Sequence, residues 1–425
     1  LAAYPYGCTE QTLNRFLPTV ITQKILRNMG LDLKEIANKR TNLNAQELGD
    51  DQARAEGWKR YDLNPVFSED EVTQMVTTGV DRLTAMQLSD GGWGWFSGTG
   101  EYRSPHTTAV VVHGLQVAIQ NDVAVVPDVL SRGIEWLRRY QNDQVVRLKN
   151  AATKTNPWKS QADATDSLVY YVLADQDVAN PEMMDFLYRD RTELPVYAQA
   201  MYGIALHKQQ QDEKLKVVLQ NIRQFVVEDA ENETAYLKLP ESNWWWSWYG
   251  SEIEANAFYL KLLARVEPKG PLASRLVKYL LNNRKHATYW ASTRDTAYAI
   301  EAMADFLKAS GEDEPDMVVE VWLNGEKRKE VKIDKSNLFS FDNKFVLFGD
   351  AVPAGEQTLE LRRKGKGPLY FNAYVTNFTL EDFLTKAGLE VKVQRKVYRL
   401  KPVDKQVAAA GTRGQVTTQK VEKYE

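Results

Sequence analysis

Cys8 and Gln11 stand three residues apart in YPYGCTEQTLNRF (residues 4–16), and Cys8 is the only cysteine in the chain. On a helical turn, side chains at i and i+3 face each other. A Cys8 thiolate placed there can attack the Gln11 carboxamide carbon and expel ammonia, which closes an internal thioester. Glutamine suits this chemistry better than glutamate, whose carboxylate repels the thiolate and is a poor acyl donor. A thiol leaving group has a pKa of about 8.5, far below that of an amine. The bond is therefore a stored acylating agent. An amine or hydroxyl reaching the Gln11 carbonyl carbon becomes attached and frees the thiol. Water does the same slowly, so the bond needs a dry pocket. Tyr4 and Tyr6, beside Pro5 and Gly7 in a tight turn, are candidate shields. Glu10 at the head of a helix suits the helix dipole and can hold backbone N–H groups. A buried structural cysteine is the plainer reading, and the spacing alone leaves it open.

The elements that must position this pair are helical from residue 1 to about 311. Residues 14–28 carry apolar side chains at helical spacing, with Pro18 as a potential kink. Residues 71–88 form a second helix, ended by SDGGWGWF. A theme then repeats: a Ser, Thr, Asp or Pro opening runs into an Ala- and aromatic-rich helix. The instances are 104–115, 162–174, 194–206, 251–263 and 292–307, with Ala109, Ser167, Ala198, Ala257 and Ala297 in register. Amphipathic helices lie between them at 132–141, 181–188, 212–228 and 271–283. This reads as helical hairpins, each with one small-residue buried helix and one helix facing water. With the first helix there are about six inner helices. Six hairpins closing on themselves make an α/α toroid; an open solenoid is the alternative.

After GEDEP (311–315) the pattern becomes β. MVVEVWL (317–323) alternates, and Asn324-Gly325 is a hairpin turn. KRKEVKI, FSFDNKFVLF, QTLELRR and PLYFNAYVTNFTL follow as expected strands of an antiparallel β-sandwich. GLEVKVQRKVYRL (388–400) reads as one more strand, and the tail after it runs out without a partner. The expected organisation is a toroid over 1–311, a β-sandwich over 316–385 and the start of a truncated third domain over 386–425.

Composition limits the function. A net charge of −3 with no basic stripe gives no footprint for nucleic acid. One cysteine excludes an intrachain disulfide without fixing a redox compartment, and with four scattered histidines it cannot build a structural zinc site. The apolar runs are too short to span a bilayer. The chain begins with Leu and its motif comes at once, so it reads as a piece of a longer protein whose leader is unknown.

YGCTEQ resembles the GCxEQ thioester motif of the α2-macroglobulin and complement family, through Gly7, Cys8, Glu10 and Gln11. TLNRFLPTV, DGGWGWF, the T-x-A segment at 107–112 and STRDTAYAI resemble the thioester domain of bacterial members, and YPYGC is typical of that branch. The resemblance implies an α/α toroid inserted in a CUB-like β domain, which would be 316–385, followed by a macroglobulin-type domain. It implies a broad-spectrum endopeptidase inhibitor rather than an enzyme, which needs no metal or organic cofactor. A protease cuts a bait region outside this fragment, the thioester is unmasked, and a surface lysine of the protease is acylated. The partners implied are target proteases and the other domains of the parent chain. The setting is extracytoplasmic, periplasmic and lipid-anchored through the missing N-terminus. The bacterial shield tyrosine falls at Tyr4. Some complement members carry a His that redirects the bond to hydroxyls; the matching region here, 156–166, has none. His106 heads a different inner helix and is a candidate rim residue. His113, on an apolar helix face, reads as a core histidine, and His207 and His286 as surface residues.

Three rivals remain. Gln87, Gly91 and Trp93 match the Q-x-x-x-G-x-W motif of triterpene cyclases, but no DxDD or DDxxD cluster accompanies it; packing between hairpins explains it better. WWWSWYG (244–250) suits sugar stacking, and Asp163, Asp166, Glu252 and Glu254 at inner-helix starts are candidate facing carboxylates for a glycosidase or lectin. N-capping explains such residues equally. The third rival is a relative that no longer forms the bond and serves as an interaction module.

Overall fold

In a computed structural model, the described residues are 7–34, 65–98, 100–239, 251–284, 290–312, 314–338, 341–369, 371, 373, 375, 400–408 and 416–424. They fall in two compact units, Leu1–Tyr370 and Phe371–Glu425.

The first unit is mostly helical. Among the described residues the inner helices are α1 (Thr9–Asn28), α3 (Pro105–Gln120), α5 (Ala164–Ala174), α7 (Val196–Lys208), α9 (Glu252–Val266) and α11 (Thr293–Ser310). Their outer partners are α2 (Glu69–Met86), α4 (Pro127–Ala151), α6 (Pro181–Arg189), α8 (Asp212–Arg223) and α10 (Pro271–Asn282). Four of the five repeated openings are side-chain N-caps, and the fifth, at Pro195 before α7, is not. Ser104, Ser251 and Ser292 each accept an N–H from the first turn, at 3.2, 3.0 and 3.0 Å. Asp163 caps α5 through the N–H groups of Thr165 and Asp166. Each cap satisfies donors that a helix start leaves open.

Each inner helix packs on the next, and α11 packs back on α1. The ring is closed, which decides for the toroid over the open solenoid. The aligned positions Ala109, Ser167, Ala198, Ala257 and Ala297 are all buried. Ser167 Oγ donates to the Ala198 carbonyl at 2.7 Å, so two of these positions meet directly between α5 and α7. Outer helices bury one stripe: Met183 and Leu187 on α6, and Ala273, Leu276 and Leu280 on α10. This is the one-sided pattern of an amphipathic helix on a core.

One expected helix is shorter than its periodicity suggested. The 212–228 pattern ends at Arg223, and β1 (Val226–Asp229) pairs with β2 (Thr234–Leu237). Asp229 accepts the N–H groups of Glu231 and Asn232 at 3.0 Å, a local side-chain turn that competes with further helix.

The turn after α2 is built around Trp93, which is fully buried. Its indole N–H donates to the Leu83 carbonyl at 2.8 Å, and its backbone N–H to Thr108 Oγ1 at 2.9 Å. Trp290 repeats the arrangement with the Leu280 carbonyl and Thr296 Oγ1. Gln87 Nε2 donates to the carbonyls of Gly91 and Val129, at 3.0 and 2.8 Å, so the Gln-Trp motif does pack hairpins together. Gly91 has φ +97°, and a Cβ there would stand 2.6 Å from the Arg132 carbonyl oxygen. Gly91→Ala is expected to destabilise the domain by roughly 2–4 kcal/mol, through backbone strain and that clash. A urea midpoint unchanged from wild type would contradict this.

Beyond the ring, β3 (Asp316–Leu323), β4 (Glu326–Asp334) and β5 (Leu359–Lys366) form an antiparallel sheet in the order β4-β3-β5. Asn324 and Gly325 both have positive φ, as the hairpin turn requires. Met317, Val319 and Ile333 form a small core. Where a sandwich was expected, the described residues hold this one antiparallel sheet. Of FSFDNKFVLF (339–348), read as a strand, the described residues 341–348 join no ladder; Asp342 instead pairs with Lys329 Nζ at 2.6 Å, and Val346 and Phe348 are exposed. Residues 376–399 lie outside the described ones. In the second unit β6 (Leu400–Ala408) pairs antiparallel with β7 (Val416–Tyr424), so the tail is one arm of a hairpin and not a partnerless end.

Candidate functional site

The site begins at the cap of α1. Cys8 is the N-cap residue, with extended backbone at φ −66° and ψ 169°. Its Sγ accepts the Gln11 N–H at 3.4 Å, while Gln11 Oε1 accepts the Cys8 N–H at 3.3 Å. This is a capping box in which cysteine replaces the usual serine or threonine. It folds the two side chains over the same turn. The Cys8 N–H also polarises the Gln11 carbonyl, the bond a thiolate would attack. Cys8 is 6% exposed and Gln11 half-buried.

Thr9 ties this turn to the loop after α2. Its N–H donates to the Trp95 carbonyl at 3.0 Å, and its Oγ1 donates to Gly94 at 2.7 Å. Glu101 Oε1 in turn accepts the N–H of Trp95 at 2.9 Å. On the other side of Cys8, Arg82 Nη2 donates to the Gly7 carbonyl at 3.0 Å. Neither anchor was legible as a site residue. Their three acceptors, at Trp95, Gly94 and Gly7, are backbone carbonyls, which carry no residue-type signal.

Burial pushes the Cys8 thiol up. The Gln11 N–H opposes that, the Glu10 carboxylate adds to it, and Arg82 pulls it down. Burial also raises the Glu10 carboxyl; Arg294 opposes and Asp295 reinforces. His106 is pushed down to about 3, by burial first and then by the Arg294 charge, so its imidazole is neutral at physiological pH. Arg294 Nε lies 3.5 Å from Glu254 Oε2. Starts of α1, α3, α9 and α11 thus contribute Glu10, His106, Glu254 and Arg294 to one electrostatic neighbourhood. Arg294 sits in STRDTAYAI, a segment singled out in the sequence, but it was not picked as a site residue.

Other sequence candidates go elsewhere. Asp163 and Asp166 form the reciprocal cap of α5, and both lie 2.6 Å from Lys159 Nζ. Glu252 accepts the Tyr279 hydroxyl. Of the four carboxylates read as candidates, only Glu254, paired with Arg294, lies in the neighbourhood described above; the other three make a cap, ion pairs and a tyrosine hydrogen bond. His113 is buried, with Nε2 3.0 Å from Glu301 Oε1, a satisfied core histidine as expected. His207 is exposed. Tyr4, Tyr6, the Trp cluster at 244–250 and His286 lie outside the described residues. Among the described residues no group of three or more His, Cys, Asp or Glu could hold a metal ion. No described helix is long and apolar enough to cross a membrane.

The family of A-macroglobulin TED domains matches residues 1–306. An α2-macroglobulin of Thermotoga maritima is 24% identical over 308 residues, which are 72% of this chain and 14% of that protein. An α2-macroglobulin homolog of Nostoc is 26% identical over 314 residues, 72% of this chain and 15% of that protein. The chain therefore spans only a small part of the length of these curated relatives. Among solved structures, a mutant α2-macroglobulin of Salmonella gives a TM-score of 0.49 at 21% identity, covering 78% of this chain and 18% of that one. Trypsin-activated α2-macroglobulin of Escherichia coli gives 0.47 at 20% identity, covering 80% and 20%.

Proposed function

Because the chain belongs to the α2-macroglobulin family, with residues 1–306 as its TED domain, we propose that Cys8 and Gln11 form an internal thioester that captures amines covalently. The observation that carries this reading is the reciprocal capping box, with Sγ on the Gln11 N–H and Oε1 on the Cys8 N–H. Closure joins Sγ to Gln11 Cδ and releases ammonia. Opening by an amine forms an amide at Cδ and returns the thiol. Gln11 is the acyl donor and Cys8 the leaving group. Glu10 supports the turn, Tyr4 and Tyr6 shield the bond, and His106 stands at its rim. With no histidine in 156–166, amines are the preferred nucleophiles.

In the parent protein this chemistry serves protease trapping: bait cleavage unmasks the bond, which acylates a surface amine of the protease. The inhibitor is broad in its targets and reacts once per molecule. Residues 1–311 are the reactive toroid, 316–385 the CUB-like region and 386–425 the start of a macroglobulin-type domain. The parent works outside the cytoplasm, in the periplasm, held by a lipid anchor.

Intact mass with thiol titration tests the reading. A closed bond gives a mass low by one ammonia and no free thiol; methylamine then adds itself and releases one thiol per chain. A freshly isolated chain at full mass, with a reactive thiol and an amine-inert Gln11, favours the interaction-module alternative instead.

A further inference from the structure

We infer that Arg82 is a positioning residue for the thioester exchange: it grips the Gly7 carbonyl and fixes Cys8 in the conformation that faces Gln11. The inference rests on the thioester reading above. Both neighbours of Cys8 are anchored from outside α1. Gly7 is held through its carbonyl by Arg82 Nη2 at 3.0 Å, and Thr9 through its N–H and Oγ1 by the Trp95 and Gly94 carbonyls. A residue whose two neighbours are pinned has little freedom left in its own backbone. Remove one pin and the Cys8 side chain can swing away from its partner.

Local packing brings Arg82 to this position. Gly79 on α2 lies against the fully buried Phe16 ring of α1; a Cβ at Gly79 would stand 2.4 Å from it. That close approach sets the spacing of the two helices. One turn further along α2, Arg82 reaches Gly7. The next residue, Leu83, is pinned through its carbonyl by the Trp93 indole. At Gly7 the fit is equally close. A Cβ there would stand 2.4 Å from Arg82 Nη2 and 2.6 Å from Cζ, so the guanidinium occupies the space a side chain would need. A side chain at position 7 would have to displace the Arg82 guanidinium.

The charge has a second consequence. When an amine adds to Gln11 Cδ, the C–S bond breaks and its electron pair goes to Sγ. The nitrogen keeps the new C–N bond and releases one proton, which the Cys8 thiolate takes up. Burial and the Glu10 carboxylate disfavour that thiolate, while Arg82 and the N–H groups of Glu10 and Gln11 favour it. Of these groups, Arg82 is the positive one that α2 supplies.

The test uses the full chain with Arg82→Gln, Arg82→Lys and Gly7→Ala. Two readouts are taken: the closed fraction by intact mass, and the pH profile of Cys8 alkylation after the bond has been opened with methylamine. Arg82→Gln is expected to lower the closed fraction, and to slow alkylation near neutral pH about threefold, the size of a partly screened charge effect. Arg82→Lys is expected to restore the alkylation profile, because it keeps the charge. Gly7→Ala keeps the arginine but displaces it, so it should behave like Arg82→Gln, and the double variant should be no worse than either single. Wild-type closure and an unchanged profile in Arg82→Gln would overturn the inference. So would a defect in Arg82→Gln that tracks lost thermal stability and is not rescued by lysine. If wild type itself never closes, the thioester reading fails, and the alkylation profiles of wild type and Arg82→Gln still decide whether Arg82 acts on the thiol.

Discussion

Gln11→Glu is expected to leave the toroid folded and to abolish amine capture. The substitution changes one atom type. A glutamate carboxylate can still accept the Cys8 N–H that Gln11 Oε1 accepts at 3.3 Å, and glutamate is the usual third residue of a capping box. The cap, the docking of Thr9 and the ring closure are untouched, so stability should stay within about 1 kcal/mol of wild type. The chemistry is lost outright. A carboxylate repels the Cys8 thiolate and has no neutral leaving group like ammonia, so no bond closes and no electrophile is stored. Methylamine incorporation should fall to background, with one free thiol from the start and no mass deficit. The variant is also chemically identical to wild type whose bond has been opened by water. It therefore supplies the spent state as a reference. Amine incorporation at the wild-type level in Gln11→Glu would mean that the acyl donor lies elsewhere.

The reactive pair was legible because it is local. Residue type and an i, i+3 spacing are enough to bring Cys8 and Gln11 together, and the cap geometry follows. The inner helices were legible for similar reasons: a capping residue, then small and aromatic residues through every turn. Closure of the ring was not, because it depends on α11 meeting α1 across nearly the whole helical region. The anchors of Cys8 were hidden for a different reason. Gly7, Gly94 and Trp95 act through backbone carbonyls, and Arg82 looks like any solvent-facing arginine on α2 until its partner is known. The matched environments of Trp93 and Trp290 were missed because the repeats were aligned on their helices and not on the turns before them. In the β region, alternation located β3, β4 and β5 well. It could not tell that Asp342 would pair with Lys329 and leave 341–348 outside any ladder.

The largest stability effect is expected at the other charged cluster, inside the ring. Glu301 on α11 accepts from Lys261 of α9 and lies 3.0 Å from His113 Nε2 of α3. Lys261 is only 1% exposed. Arg265 and Asp305 pair beside them at 3.0 Å, and the whole group lines a cavity of about 600 Å³. Burial pushes the Glu301 carboxyl up, but the Lys261 ammonium and His113 outweigh it and hold the group well below its ordinary value of 4.5. Glu301→Gln strands the Lys261 ammonium with Asp305 at 3.9 Å as its nearest remaining carboxylate. Removing one member of a buried pair costs about 3–5 kcal/mol, whereas replacing both by neutral groups costs far less. Glu301→Gln with Lys261→Met should therefore recover most of the loss, and a double-mutant cycle measures the difference. The pH dependence has a definite sign. A carboxyl depressed in the folded state contributes stability above its unfolded value, and that contribution is lost as the pH falls through its folded value. The gap between wild type and Glu301→Gln should thus be widest at neutral pH and narrow below about pH 4.5. Because α11 also packs on α1, loosening it should reach the reactive end. Cys8 in Glu301→Gln, opened with methylamine, is expected to alkylate faster than wild type at urea concentrations below the unfolding midpoint. Equal protection at matched urea would mean that the ion cluster holds the ring without holding the site.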